Sequence, residues 1–123
     1  MSLSMSRLIL YVHDVERLKL FYQAHFDLTV VEEIAQEWVV LKAGAVELAL
    51  HRVGTPYRDK PQHGGANVKI VFDVPAGLEA LRDKLIAAGV AMRPLKRFDG
   101  FSQLMCDGED PEGNVFQLAQ QDA

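Results

Sequence analysis

Few of the side chains able to do chemistry stand at the spacings chemistry needs. The four histidines, His13, His25, His51 and His63, form no metal-binding spacing with one another. The single cysteine, Cys106, has no histidine near it in sequence to make a nucleophile pair and reads as a buried strand thiol. The sequence contains neither a glycine-rich phosphate loop nor a serine nucleophile motif. Glu47 and His51 are different. They lie four residues apart in a stretch of alternating apolar residues, and on a strand that parity puts both on one face with Ala49 between them. A carboxylate so placed is a candidate general base; the imidazole is a candidate ligand-binding group or base, or else a solvated strand end. Tyr11 and Trp38 are candidate apolar walls for a small-molecule cleft, with core packing as the plainer alternative.

The elements that must position these groups follow from hydrophobic periodicity. Residues 8–12 predict a strand, and Asp14 caps a helix running to about residue 26, with Val15, Leu18 and Tyr22 on one stripe and Phe21 and His25 beside it. Strands follow at 28–34, 38–41 and 46–52, the last two separated by a turn at Gly44. Residues 54–66 hold two prolines and three glycines and break regular structure. The same order then begins again: a strand at 70–74, a helix from about 75 to 88 with Leu78, Leu81 and Leu85 on one stripe, and strands at 90–94, 101–106 and 115–119. Val12 and Val74 close the first strand of each series, 62 residues apart, half the chain.

The expected fold is therefore α+β: two tandem β-α-β-β-β modules, about 6–53 and 67–120, in a single domain spanning 1–123 and joined by loop 54–66. One helix per module covers only one sheet face, so the uncovered faces, set side by side, predict a concave mixed sheet with the helices outside and a cleft for a small molecule. Tyr57, Arg58 and His63 in the connecting loop make it an expected mobile cover for that cleft.

Composition narrows the partners. With 49% hydrophobic and 24% charged residues among 123, the chain has the makings of a packed globule and not of a disordered segment. A net charge of −4, with the basic residues scattered, argues against nucleic acid. No apolar run approaches the roughly 18 residues of a membrane span, so no membrane partner is expected. One cysteine fits a reducing compartment, and a cytoplasmic location is the expectation.

Three stretches, taken in order, resemble a known family. They are Tyr11-Val12-His13-Asp14-Val15-Glu16 running into Phe21-Tyr22, then Val46-Glu47-Leu48-Ala49-Leu50, and above all Asp110-Pro111-Glu112-Gly113-Asn114-Val115-Phe116-Gln117-Leu118. Together they resemble the glyoxalase, bleomycin-resistance and extradiol-dioxygenase group, the vicinal oxygen chelate superfamily, over about residues 7–120. The resemblance implies a divalent metal held by side chains from the first and last strands of each module, usually His and Glu. By position those places fall on Arg7, Glu47, Lys69 and Gln117, and only Glu47 is a usual ligand. The expectation is a site with no metal and no cofactor.

Alternation places the same four residues independently of the family. Leu8, Leu10 and Val12, Leu48 and Leu50, Ile70 and Phe72, and Phe116 and Leu118 would face the helices, which leaves Arg7, Glu47, Lys69 and Gln117 on the opposite side. Two cations against one carboxylate favour an anionic ligand, a carboxylate or phosphate, with Arg7 as a fork-shaped clamp. The expected protein is a metal-free binder of a small anionic or aromatic organic molecule, using Arg7, Lys69, Gln117, His51, Tyr11 and Trp38. One alternative is a lyase or isomerase with Glu47 as general base and Arg7 or Lys69 stabilising an oxyanion, with or without a non-standard metal site built on Glu47, His51 and Gln117. Another is a purely structural network in which Arg7, Lys69 and Glu47 pin the modules together. Exposed sheet edges, and the habit of the relatives it resembles, lead to a homodimer as the expected assembly.

Overall fold

The computed structural model describes residues 1–60 and 65–122. The chain divides into two compact units, Met1–Gln62 and His63–Ala123. Each carries the same order of one strand, one helix and three strands.

In the first unit β1 (Arg7–Val12) leads into α1 (Val15–Phe26), followed by β2 (Thr29–Ile34), β3 (Trp38–Ala43) and β4 (Val46–Arg52). The sheet order is β1-β4-β3-β2, with β1 parallel to β4 and the other pairs antiparallel. Asp14 caps α1 by accepting from the Arg17 amide at 3.0 Å, and Asp27 ends the helix in the left-handed conformation. The stripe Val15, Leu18 and Tyr22 is buried together with Phe21 and packs over β3 and β4, against a core of Leu10, Val12, Val39, Leu41, Leu48 and Leu50. Burying an aliphatic or aromatic side chain of this kind is worth about 1.5–3 kcal/mol, so this face fixes the strand register.

In the second unit β5 (Lys69–Asp73) leads into α2 (Leu78–Ala87), then β6 (Ala91–Met92), β7 (Gln103–Glu109) and β8 (Val115–Gln121). The order β5-β8-β7-β6 repeats that of the first unit. β1 and β5 begin 62 residues apart, at Arg7 and Lys69, which is the spacing of the repeat.

Several expectations need correcting here. The second helix starts at Leu78 and not at Pro75, because Gly77 takes the left-handed conformation (φ 76°) at its N-cap. With no side chain on Gly77, the Leu78 amide is satisfied by the Gln120 side chain at 2.8 Å. The strand expected at 90–94 shrinks to two residues, and the strand expected to stop at Cys106 continues to Glu109. In the connecting segment Thr55–Tyr57 forms a single 3₁₀ turn. The expected cover falls partly on residues 61–64, His63 included, which lie outside the described residues.

Candidate functional site

On the side of the first sheet away from α1, register builds three rows: Arg7, Glu47 and Lys42; Ile9, Ala49 and Val40; Tyr11, His51 and Trp38. In the first row the Arg7 Nε and Nη2 groups both donate to Glu47 Oε1, at 3.1 and 2.9 Å. Two of the five guanidinium N–H donors are used, so Arg7 keeps donors for another partner. Its guanidinium also lies over the Trp38 ring, 5.5 Å from the centroid. In the third row His51 meets Tyr11 at 5.1 Å and Trp38 at 5.5 Å between ring centroids, both edge-on, which fixes the imidazole between two rings. The His51 Nδ1 stands 2.8 Å from the Arg52 carbonyl and Trp38 Nε1 donates to Glu32, so both rings are held by polar contacts as well.

Tyr11 is not part of the packed core: the residue is 66% exposed. His51 is half-buried, not a solvated tip.

The second unit centres on a residue that the sequence reading missed, Asp107. Register places it directly opposite Gln117, whose side-chain amide donates to Asp107 Oδ1 at 3.1 Å. Its other oxygen, Oδ2, takes Lys69 at 3.0 Å and Lys96 at 3.2 Å, with Arg93 Nη1 3.6 Å away. The Asp107 side chain is only 4% exposed. Burial pushes its carboxyl up and is the largest single influence on it. Hydrogen bonds from Lys69, Gln117 and Lys96, with the Lys69 charge, outweigh that and hold the group below the ordinary carboxylate range. Within its own unit the Lys69 ammonium pairs with Asp107. Within each unit the candidate residues form a group: Arg7 with Glu47 in the first, and Lys69 with Gln117 around Asp107 in the second.

The segment before β5 and the turn before β8 are tied together, and register then sets Lys69 opposite Val115, two residues before Gln117 on the same face of β8. Asp110 Oδ1 accepts from the Glu112 and Asn114 amides at 2.9 and 3.0 Å, and the Asn114 side-chain oxygen accepts from the Ala66 amide at 2.7 Å. Asp110 and Asn114 are both buried.

The side chains at the four inherited ligand positions do not fit a metal. Guanidinium and ammonium groups have no lone pair to give, Arg7 already occupies one Glu47 oxygen, and a Gln117 carbonyl is a weak donor. Among the described residues no three His, Cys, Asp or Glu side chains stand close enough to hold an ion. Cys106 offers no nucleophile, since burial pushes its thiol up and keeps it protonated. A shallow cavity of about 280 Å³ in the first unit is lined by His13, Asp14, Val15, Glu16, Gln36 and Arg52. Its charged groups have structural tasks, Asp14 as the α1 cap and Arg52 in a pair with Glu37.

A repeated β-α-β-β-β unit with these strand orders defines a class of fold, and comparison with known proteins names it. The model of the Glyoxalase/Bleomycin resistance protein/Dioxygenase superfamily matches residues 4–118, and the chain belongs to that superfamily. Among solved structures it is similar to a protein of unknown function from Agrobacterium tumefaciens (22% identity, TM-score 0.77, covering 98% of this chain and 96% of that one). It is similar also to the fosfomycin resistance protein FosX of Listeria monocytogenes (16% identity, TM-score 0.73, 98% and 93% covered). A third is the lactoylglutathione lyase of Agrobacterium tumefaciens (21% identity, TM-score 0.68, 95% and 92% covered). At these identities the likeness establishes the fold. No curated protein matches the sequence. No helix among the described residues is long and apolar enough to cross a membrane.

Proposed function

We propose that the chain is a metal-free small-molecule binder of its superfamily, taking an organic anion with an aromatic or apolar body. The observation that carries this reading is chemical: at the first strand of each unit, where the superfamily places a metal-ligating side chain, stands a cation, Arg7 or Lys69. A divalent ion beside fixed cations meets repulsion of about 4 kcal/mol per unit-charge pair at 4 Å and an effective dielectric of 20, twice that for its double charge; an anion meets the reverse. Arg7 supplies the anion with spare donors, while Tyr11, His51 and Trp38 supply rings beside it. In the second unit Lys69 and Gln117, both bonded to Asp107, form a polar group of their own.

A thermal-shift screen of aromatic carboxylates and phosphate esters, with and without divalent metals, tests the reading. Ligand at a hundred times its Kd stabilises by about 2.7 kcal/mol, enough to see. Arg7→Met or Lys69→Met should weaken carboxylate binding, and Glu47→Gln should preserve or strengthen it. If Glu47→Gln instead keeps binding and abolishes turnover of a bound compound, the protein is a lyase or isomerase with Glu47 as base. A homodimer in a reducing, cytoplasmic setting completes the proposal, supported by the lone cysteine and by exposed Val31 and Ile34 on edge strand β2. Sedimentation as a monomer at micromolar concentration would remove the dimer from it.

A further inference from the structure

Lys69 at the start of β5 and Arg93 and Lys96 in the stretch between β6 and β7 converge on one carboxylate. The charges are layered. Asp107 is buried, while the side chains of Lys69, Arg93 and Lys96 are 43%, 51% and 33% exposed, so the negative charge is recessed and the positive ones reach solvent. Asp107 thereby holds together three cations that would otherwise repel one another. Each ammonium has three donors and gives one to Asp107, and Arg93 reaches it only at 3.6 Å, with Glu109 4.0 Å from its other nitrogen. Donors remain free on all three.

Backbone pairing fixes the arrangement. The Arg93 amide donates to the Asp107 carbonyl at 2.8 Å, and Lys96 exchanges both backbone hydrogen bonds with Met105. Rings stand beside it: Lys96 lies over Phe98 at 5.4 Å, Phe98 meets Phe101 edge-on at 6.5 Å, and both rings are more than half exposed. Exposed apolar rings next to spare cationic donors are a surface that neither packing nor charge pairing has used up.

We infer that Lys69, Arg93 and Lys96, gathered by Asp107, form a subsite for the phosphoryl group of a phosphate monoester. The inference rests on the reading above and sharpens it. Three cationic side chains around one point match a doubly charged tetrahedral group with three free oxygens better than a planar, singly charged carboxylate. Asp107 is a positioning residue: it gathers the cations and does not itself touch the anion.

Phenyl phosphate and benzoate share a ring and differ in the anionic group, so calorimetric titration of both into the full chain at pH 8 separates the two levels. The wild-type protein should bind phenyl phosphate about tenfold more tightly than benzoate. Arg93→Met, at an exposed side chain, and Lys96→Met, at a half-buried one outside the apolar core, should each narrow that gap to about twofold. Equal binding of the two compounds by the wild type, or a gap unchanged in both variants, would overturn the subsite. Benzoate binding that falls with Arg7→Met, without a phosphate preference, removes the subsite alone. Binding of neither compound removes the subsite and the broader reading together.

Discussion

Replacing Asp107 with Asn isolates the charge at the centre of the second unit while keeping its shape. The carboxylate accepts charge-assisted hydrogen bonds from Lys69 and Lys96 and one amide bond from Gln117. Bonds to charged groups are worth about 1.5–3 kcal/mol each, and breaking a fully buried ion pair costs about 3–5 kcal/mol. Here the cations are a third to a half exposed and can return to water, and Asn keeps one acceptor oxygen. The expected loss is therefore about 2 kcal/mol, a fall in Tm of about 8 °C for a chain of this size. Glu47→Gln is the control: both partners of that pair are 35% exposed, which limits its loss to about 1 kcal/mol or less. The pH dependence has a definite sign. A carboxyl held below its unfolded value contributes stability above that value, about 3.9, and loses it as pH falls through the folded one. The gap between wild type and Asp107→Asn, measured by thermal denaturation, should thus hold from pH 8 to 5 and shrink below about pH 4. Equal losses for the two variants, or a gap unchanged at pH 3, would refute the assignment of stability to the Asp107 charge.

Two further outcomes follow from packing. A Cβ at Gly108 would collide with Met92 Sδ and stand 2.5 Å from the Phe116 ring, so Gly108→Ala should cost about 1–3 kcal/mol in chemical denaturation; a neutral result would mean β6 can move away. Cys106 is fully buried and its thiol is pushed up, so native protein should resist iodoacetamide and react only on unfolding. Rapid labelling of the folded chain would show that β7 opens locally.

Much of the fold was legible because the two modules repeat. The α1 stripe reports the core face directly, since a single face of that helix is buried; in β4 Leu48, Ala49 and Leu50 are all buried, and there alternation of residue type tells the two faces apart. The placement of the first unit's candidates on one sheet face was legible, since Arg7, Glu47, Tyr11 and His51 sit on regular strands whose parity the sequence displays. The second unit hid its centre. Asp107-Gly108 reads locally as a turn, and the strand was ended before it. In the structure that pair continues the ladder, because Gly108 leaves the room that Met92 and Phe116 fill, and Asp107 stays buried on account of cations from two other segments. Neither Arg93 nor Lys96 carries any local mark of that role, since the two-residue β6 and an isolated bridge at Lys96 are what bring them there. Long-range pairing, not periodicity, decided those positions.

The central claim is that cations have replaced metal ligands and that the site takes an organic anion unaided. The most direct measurement is calorimetric titration of an aromatic carboxylate or phosphate ester into protein stripped with a chelator, dialysed and checked by elemental analysis. The account predicts saturable binding by the stripped protein, unchanged when zinc, manganese, iron or nickel is added back and weakened by Arg7→Met. Binding that appears only after one metal per chain is restored would contradict it.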